Sequence, residues 1–485
     1  MDLRLPPERY PFLIKVIFVT FVIALPFVLG SSKQILDDGD VSWHLAAGAW
    51  IIEHRAIPSV DPFSHSMPGA PWVAHEWLSE ILYAVAYQLA GYAGLAATVC
   101  ISLVLLHLIV FRHLQARTGP VTLLVAFVAL AIGLAPFTLA RPHILVWPLL
   151  ALWGSMLLRY REAGRVPPLP WALLMTFWAN LHGSYPLGIV VAGAIALDAV
   201  IDAKWARPVV ARWFLFGLAS TVAALANANG IPGIIHPFTI MGMDSVRFIG
   251  EWRPSVPTIT PFFFVILIGT LGGLFHRGVK FRLGELLLLM AMLALAFSQV
   301  RHQSWLAIVA VLLIAPKFAD PSTVAMPLFG DSRERRNWVA LNGALLAMLI
   351  AGRLALPMTP PRNSSNPWRL IASIPNDLRG QPVLNEYSYG GPLILSGIRP
   401  FIDGRADMYG DAFTTDYFAI AKGDEARFAK AVKQYGIVWT LFPPQSTLVK
   451  RLDRTPGWRR VYADPTGVIH RAQDASTTGK KPPTG

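Results

Sequence analysis

The stretch from Ser31 to Glu80 concentrates side chains that move protons and hold charge. Asp37, Asp38, Asp40, His44, Glu53, His54, Asp61, His65, His75, Glu76 and Glu80 fall in it, interleaved with Trp43, Trp50, Trp72 and Trp77. Carboxylates and imidazoles are the groups of general acid–base chemistry. Asp40 and His44 are four residues apart, so a helix places them on one face. Val41 to His54 has helical periodicity, and Asp40 stands where it can cap that helix. Pro58, Pro62, Pro68 and Pro71 then impose an extended path, and His75-Glu76 opens a second helix. The plainer reading is that Asp40 only caps a helix and the tryptophans only form an interfacial belt.

Matching polar groups recur at the ends of later apolar runs. They are Arg141-Pro142-His143, Asn180-Leu181-His182, Asn227 and Asn229, His236, Asp244, Arg247, Glu251-Trp252-Arg253 and Arg301-His302-Gln303. Capping and snorkelling account for any one of them. They do not explain why all lie on one side. Near the C-terminus FIDGRADMYG spaces Asp403, Arg405, Asp407 and Tyr409 after a strand-like PFI. That pattern suits either a turn with an Arg405–Asp407 ion pair or a glycan-binding loop.

The elements that must position these groups are membrane spans. The chain has 485 residues, 54% hydrophobic and only 15% charged, against about a quarter charged in soluble domains. Runs near the 17–25 residues of a membrane helix fall at 12–30, 93–111, 120–139, 143–158, 168–182, 185–201, 213–229, 260–275, 284–298, 303–316 and 338–356. The first reads as a retained signal anchor. Leaving 77–91 out of the count places eighteen of the Lys and Arg up to Arg336 on one side and six on the other, as cytoplasmic loops require. Residues 77–91 therefore read as an interfacial amphipathic helix, with Trp77 and Tyr83 at headgroup level. The N-terminus is then cytoplasmic. The net charge is +13, but Lys and Arg cluster in short loops between the apolar runs, so nucleic acid is not an expected partner. The single cysteine, Cys100, excludes an intrachain disulfide and a Cys-based metal site. Span midpoints are nearly free of ionisable residues, which argues against a transporter site at the midplane.

The expected architecture is an α-helical polytopic membrane protein of about 11 transmembrane helices with a small C-terminal α/β extracytoplasmic domain. Residues 1–357 form the transmembrane domain, including a first outer loop at 31–92. Residues 358–473 form the periplasmic α/β domain, with PVLNEY, RPFIDG, YGIVWTLF, RRVYAD and GVIHR as strand-like runs and DEARFAKAVKQYG as a helix. Residues 474–485 read as a disordered tail.

A first span, an acidic residue opening an interfacial helix, a Pro-containing strap and a second aromatic helix together resemble the GT-C superfamily of membrane glycosyltransferases. That superfamily includes protein O-mannosyltransferases, aminoarabinose transferases and oligosaccharyltransferases. DDGDVSWHLAAGAWI and APWVAHEWLSEILYAVAYQLAG carry this resemblance, mainly over residues 1–115. The chain also resembles a group of bacterial membrane proteins within it by four motifs, at Asp40–Leu45, His75–Leu78, Asn180–Gly183 and Ile402–Tyr409. The resemblance implies an inverting transferase of the bacterial inner membrane. It would move a hexose or pentose from a polyprenyl-phosphate donor to a glycan, lipid or protein acceptor in the cell envelope. Asp40 matches the first loop acid, which deprotonates or orients the acceptor. Val41 stands at the second acidic position, and His44, Asp61 or Glu76 are the candidates to replace it.

On this reading the catalytic set is Asp40, His44, Asp61, His75 and Glu76. Arg141, His143, Arg247, Arg301 and His302 would hold the donor phosphate. Trp43, Trp72, Asn180, His182, Glu251, Trp252, Asp403, Arg405 and Asp407 would bind substrate. The residues fix no cofactor with certainty. A divalent cation, Mg or Mn, is compatible with Asp40, Asp61 and His75, although their spacing matches no metal motif. The competing readings are a transporter or flippase for a lipid-linked glycan and a non-catalytic component of polysaccharide assembly.

Overall fold

The computed structural model describes residues 18–115, 117–319 and 332–473. The start of the first expected span and the expected disordered tail at 474–485 lie outside the described residues. The chain divides into two compact units. One comprises Met1–Ile35, Ala86–Pro237 and Ile249–Met358, and the other Leu36–Val85, Phe238–Phe248 and Thr359–Gly485. Composition grouped the first outer loop with the spans, whereas the contacts group most of it with the C-terminal segment.

The first unit is helical. Among the described residues, five helices are long and apolar enough to cross a membrane: Trp77–Leu114, Pro120–Phe137, Pro142–Glu162, Tyr185–Asp202 and Arg207–Leu225. Shorter apolar helices lie at Thr20–Ser31, Leu169–Leu181, Gly230–Met241, Pro261–His276, Leu283–Ser298 and Val339–Ala355. These helices are apolar on their outer faces too. In Pro120–Leu134, Leu123, Phe127, Leu130 and Leu134 are buried while Val121, Val125, Val128 and Ile132 are exposed. A stripe of exposed valine and isoleucine at helical spacing is suited to lipid.

Two features depart from the run pattern. Gly230–Met241 is a separate apolar helix, set off by the turn in which Asn227 Oδ1 accepts from the Asn229 N–H. The 168–182 run divides into a 3-10 turn at Leu169–Leu173 and a helix at Leu174–Leu181. The Trp77–Leu114 helix is not continuous either. Ala90 and Gly91 leave helical geometry, and Gly91 has φ 57° and ψ −146°, a conformation open only to glycine. The break falls where the sequence separates an interfacial helix from a span. Leu82, Val85 and Leu89 are exposed on the segment before it.

The second unit is built on a four-stranded sheet. β1 (Val383–Asn385), β2 (Trp439–Phe442), β3 (Trp458–Ala463) and β4 (Val468–Ala472) lie in the order β1-β2-β4-β3. β1 and β2 are parallel, and the other pairs are antiparallel. The Glu425–Tyr435 helix forms where the sequence puts it, with the Asp424 side chain accepting from the Arg427 N–H and Gly436 in the left-handed conformation at its end. RPFIDG, by contrast, is not a strand. The buried amide of Asn385 takes its place as hydrogen-bond partner: Oδ1 accepts from the Phe401 N–H and Nδ2 donates to the Ile402 carbonyl.

The loop and the C-terminal segment share one core. Trp43, Ala47, Trp72 and Ala74 pack with Leu384, Phe401, Ile402, Tyr409 and Tyr417. The start of the loop is held by Asn363, whose Nδ2 donates to Asp37 Oδ1 at 2.6 Å, and by Asn366, whose Nδ2 donates to the Leu36 carbonyl at 2.8 Å.

Candidate active site

The Asp40–His54 helix begins at Asp40 itself. Its N-cap is Gly39, with no side-chain cap, so Asp40 does not serve the capping role the sequence offered it. The Asp40 N–H donates to Asp38 Oδ1, and the Asp40 carboxylate lies against the backbone of Gly404. A Cβ at Gly404 would stand 1.9 Å from Asp40 Oδ1 and 2.7 Å from Trp43 Nε1. The glycine of FIDGRAD is therefore required for this approach. Val41 is buried in the apolar core, which gives the missing second acid a structural reason.

One helical turn after Asp40, His44 is 2% exposed and faces two carboxylates. Its Nδ1 is 3.4 Å from Glu80 Oε1 and its Nε2 is 3.9 Å from Glu76 Oε2. His75 Nε2 lies 3.8 Å from the other Glu76 oxygen. Burial pushes the Glu80 carboxyl well above its usual range, Glu76 adds to the effect, and Arg405 opposes it. Asp407 pushes the same carboxyl up. The result is a chain of proton-carrying groups, His75–Glu76–His44–Glu80, in which a proton on either partner bridges the buried pair. Glu80 belongs to the loop's proton-carrying groups but not to the catalytic set expected from the sequence. Its signal was the four-residue spacing from Glu76 on one helical face.

Other candidates of this unit are spent on the fold. Arg405 is 1% exposed. Its Nε and one terminal nitrogen donate to both oxygens of Asp403, at 2.8 and 2.6 Å, and the other donates to Asp61 Oδ1 at 2.8 Å. The guanidinium also stacks on Phe63 and Trp72. Tyr409 donates to Asp403 Oδ2 at 2.7 Å. Asp61 further accepts from the Phe63 and Ser64 N–H groups and the Ser64 hydroxyl. Asp61 is thus neither base nor cation ligand, because its oxygens are already bound by Arg405 and the strap. Asp403 and Arg405 are likewise internal partners, and Arg405 pairs with Asp61 and Asp403 instead of with Asp407. Trp43 and Trp72 are core side chains, 6% and 4% exposed, without a face for a sugar.

The helical unit holds a second cluster. Glu251 accepts from Arg141 at 2.8 Å and lies 3.4 Å from Arg301, whose guanidinium stacks 4.3 Å over Trp252. Burial would raise the Glu251 carboxyl, but Arg141 and Arg301 outweigh it and hold the group at about 2. His302 is lowered to about 4 by burial and by Arg301, so it is a neutral hydrogen-bonding group that contacts Gln299 Oε1 at 2.9 Å. The His182 ring lies 6.4 Å from that of His143 and 5.8 Å from that of Trp305. His182 Nδ1 accepts from the Ser184 N–H, which leaves the ring proton of the neutral form on Nε2. Asn180 clamps backbone, donating to Thr176 and Ala226 carbonyls and accepting from the Ala228 N–H. Arg247 belongs to the other unit, against Phe248.

No family model and no curated protein matches the sequence. Solved structures do match. The chain aligns over 97% of its length with 75% of the archaeal oligosaccharyltransferase AglB from Archaeoglobus fulgidus, in complex with an inhibitory peptide and a dolichol-phosphate, at a TM-score of 0.58 and 11% identity. It aligns over 90% of its length with 69% of an Archaeoglobus fulgidus oligosaccharyltransferase tethered to an acceptor peptide containing the NVT sequon, at a TM-score of 0.52 and 10% identity. At such identity the likeness is one of fold. The chain shares its fold with these two oligosaccharyltransferase structures.

Proposed function

We propose that this protein is a membrane glycosyltransferase that moves a sugar from a polyprenyl-phosphate donor to an envelope glycan, lipid or protein acceptor on the periplasmic side of a bacterial inner membrane. The observation that carries the reading is the fold likeness, which extends over 97% of the chain to an enzyme seen with a dolichol-phosphate and a peptide. The Lys and Arg distribution supports a cytoplasmic N-terminus and a periplasmic C-terminal domain at 358–473.

Asp40 takes the proton of the acceptor hydroxyl as its oxygen attacks the anomeric carbon, and the polyprenyl phosphate leaves with the bonding pair. Within the helical unit, Arg141 and Arg301 outnumber Glu251, so that cluster has the net positive charge that suits a phosphate group. His302 and His143 supply hydrogen bonds beside it. His44 with Glu76 and Glu80 stands in for the absent second acid, passing the proton taken at Asp40 away from the reacting centre.

The test is sugar transfer by purified protein from labelled polyprenyl-phosphate sugars. Asp40→Asn should lower kcat by about 10²–10⁴-fold with fold retained, the usual range for a general base. Transfer unchanged by Asp40→Asn removes Asp40 from the base role. A wild-type protein that binds donor but never consumes it points to lipid-linked glycan transport or assembly.

A further inference from the structure

The Ala406–Ala421 and Glu425–Tyr435 helices enclose a cleft of about 300 Å³ that neither polar cluster uses. The first helix lines it with Phe413, Asp416, Tyr417 and Ile420, and the second with Arg427, Lys430, Ala431 and Gln434. Both sets follow helical spacing, so each helix turns one continuous stripe toward the cleft. The floor is aromatic. Phe401 and Phe413 stack with centroids 5.0 Å apart, and Tyr435 stands edge-on to both, at 87° and 89°.

An ordinary helix pair closes such a seam with aliphatic side chains. Here the rim is polar and open. Asp416 and Arg427 are exposed and 3.5 Å apart, and Lys430 and Gln434 are exposed beside them. Half-buried rings below planar or charged hydrogen-bonding groups match the two surfaces of a sugar ring: an apolar C–H face and an equator of hydroxyls. The volume lies at the lower end of the roughly 300–1,000 Å³ of small-molecule sites, suited to a short saccharide.

We propose that this cleft is a saccharide subsite of the C-terminal domain, holding a sugar ring of the acceptor away from Asp40. The inference rests on the glycosyltransferase reading for its biological role, but binding is measurable without turnover. Tyr435 and Phe413 form the platform, and Asp416, Arg427, Lys430 and Gln434 bond the hydroxyls.

The experiment is saturation-transfer NMR on the full chain in nanodiscs free of sugar-headed detergent, with cellobiose, chitobiose and digalacturonate as probes. At least one probe should receive transfer at its ring protons. The exposed pair Asp416→Ala and Lys430→Ala together should weaken binding by about tenfold, the loss expected for charged hydrogen bonds. Tyr435→Leu should weaken it while Tyr435→Phe keeps it. Asp40→Asn should bind as wild type. Folded protein that gives no transfer to any probe, or a rim double variant that binds as wild type, overturns the subsite. Sugar transfer that persists without saccharide binding leaves the glycosyltransferase reading intact. Binding without sugar transfer removes that reading and leaves the subsite.

Discussion

Glu251 in the helical unit and Glu80 in the other unit are the same residue type held in opposite states. Glu251 has two arginines for partners and stays ionised down to about pH 2. Glu80 has a histidine and a second carboxylate, is 1% exposed, and is pushed toward the neutral form by burial. The chemistry of each follows from what surrounds it. A permanently charged carboxylate sets the geometry of the guanidinium groups around it, whereas a buried one held in its neutral form can give up its proton and then take one back. This division of labour between carboxylates is the arrangement expected where charge stabilisation and proton transfer are both needed.

The largest effect separates a buried arginine from a half-exposed one. Arg405→Met strands Asp61 and Asp403 in the core and should destabilise the C-terminal unit by about 3–5 kcal/mol. Arg301→Met should cost no more than about 1 kcal/mol of stability, since its pair is partly solvated. Thermal unfolding with limited proteolysis measures both. Similar losses for the two would erase the contrast.

Gly404→Ala comes next. Its Cβ must displace the Asp40 carboxylate, so sugar transfer should fall by about tenfold or more while unfolding changes less than for Arg405→Met. Retained transfer would show that Asp40 does not need its seat on Gly404.

Glu80 supplies a pH signature. Its folded carboxyl titrates above the unfolded one, so the folded state holds an extra proton between the two values. Its contribution to stability is therefore present at low pH and lost as pH rises through that window, with a slope of at most about 1.4 kcal/mol per pH unit. Glu80→Gln keeps the neutral shape and should flatten this part of the stability profile. An unchanged slope would place the titration elsewhere.

The smallest effect concerns Glu251→Gln. Removing its charge leaves Arg141 and Arg301 uncompensated, and a polyprenyl phosphate should bind a few-fold more tightly at low ionic strength. Weaker binding would mean that Glu251 mainly orients the arginines.

The membrane character, the α/β C-terminal domain and the break before the 93–111 run were legible because each depends on local pattern. Apolar runs mark lipid-suited helices, and Asp424 and Gly436 mark the two ends of a helix that forms as written. Asp40 and His44 were legible as one face because i and i+4 neighbours follow from helix geometry alone. The partners of those groups were not legible. Arg405 chooses Asp61, 344 positions away, over nearby Asp407. Asn385 replaces a strand at RPFIDG, and Trp43 and Trp72 are drawn into a core shared with the C-terminal segment. Spacing along a chain fixes which side chains share a face. Burial and hydrogen-bond completion, which act between segments distant in sequence, decide whether a charged or aromatic side chain is free for a substrate or consumed by the fold.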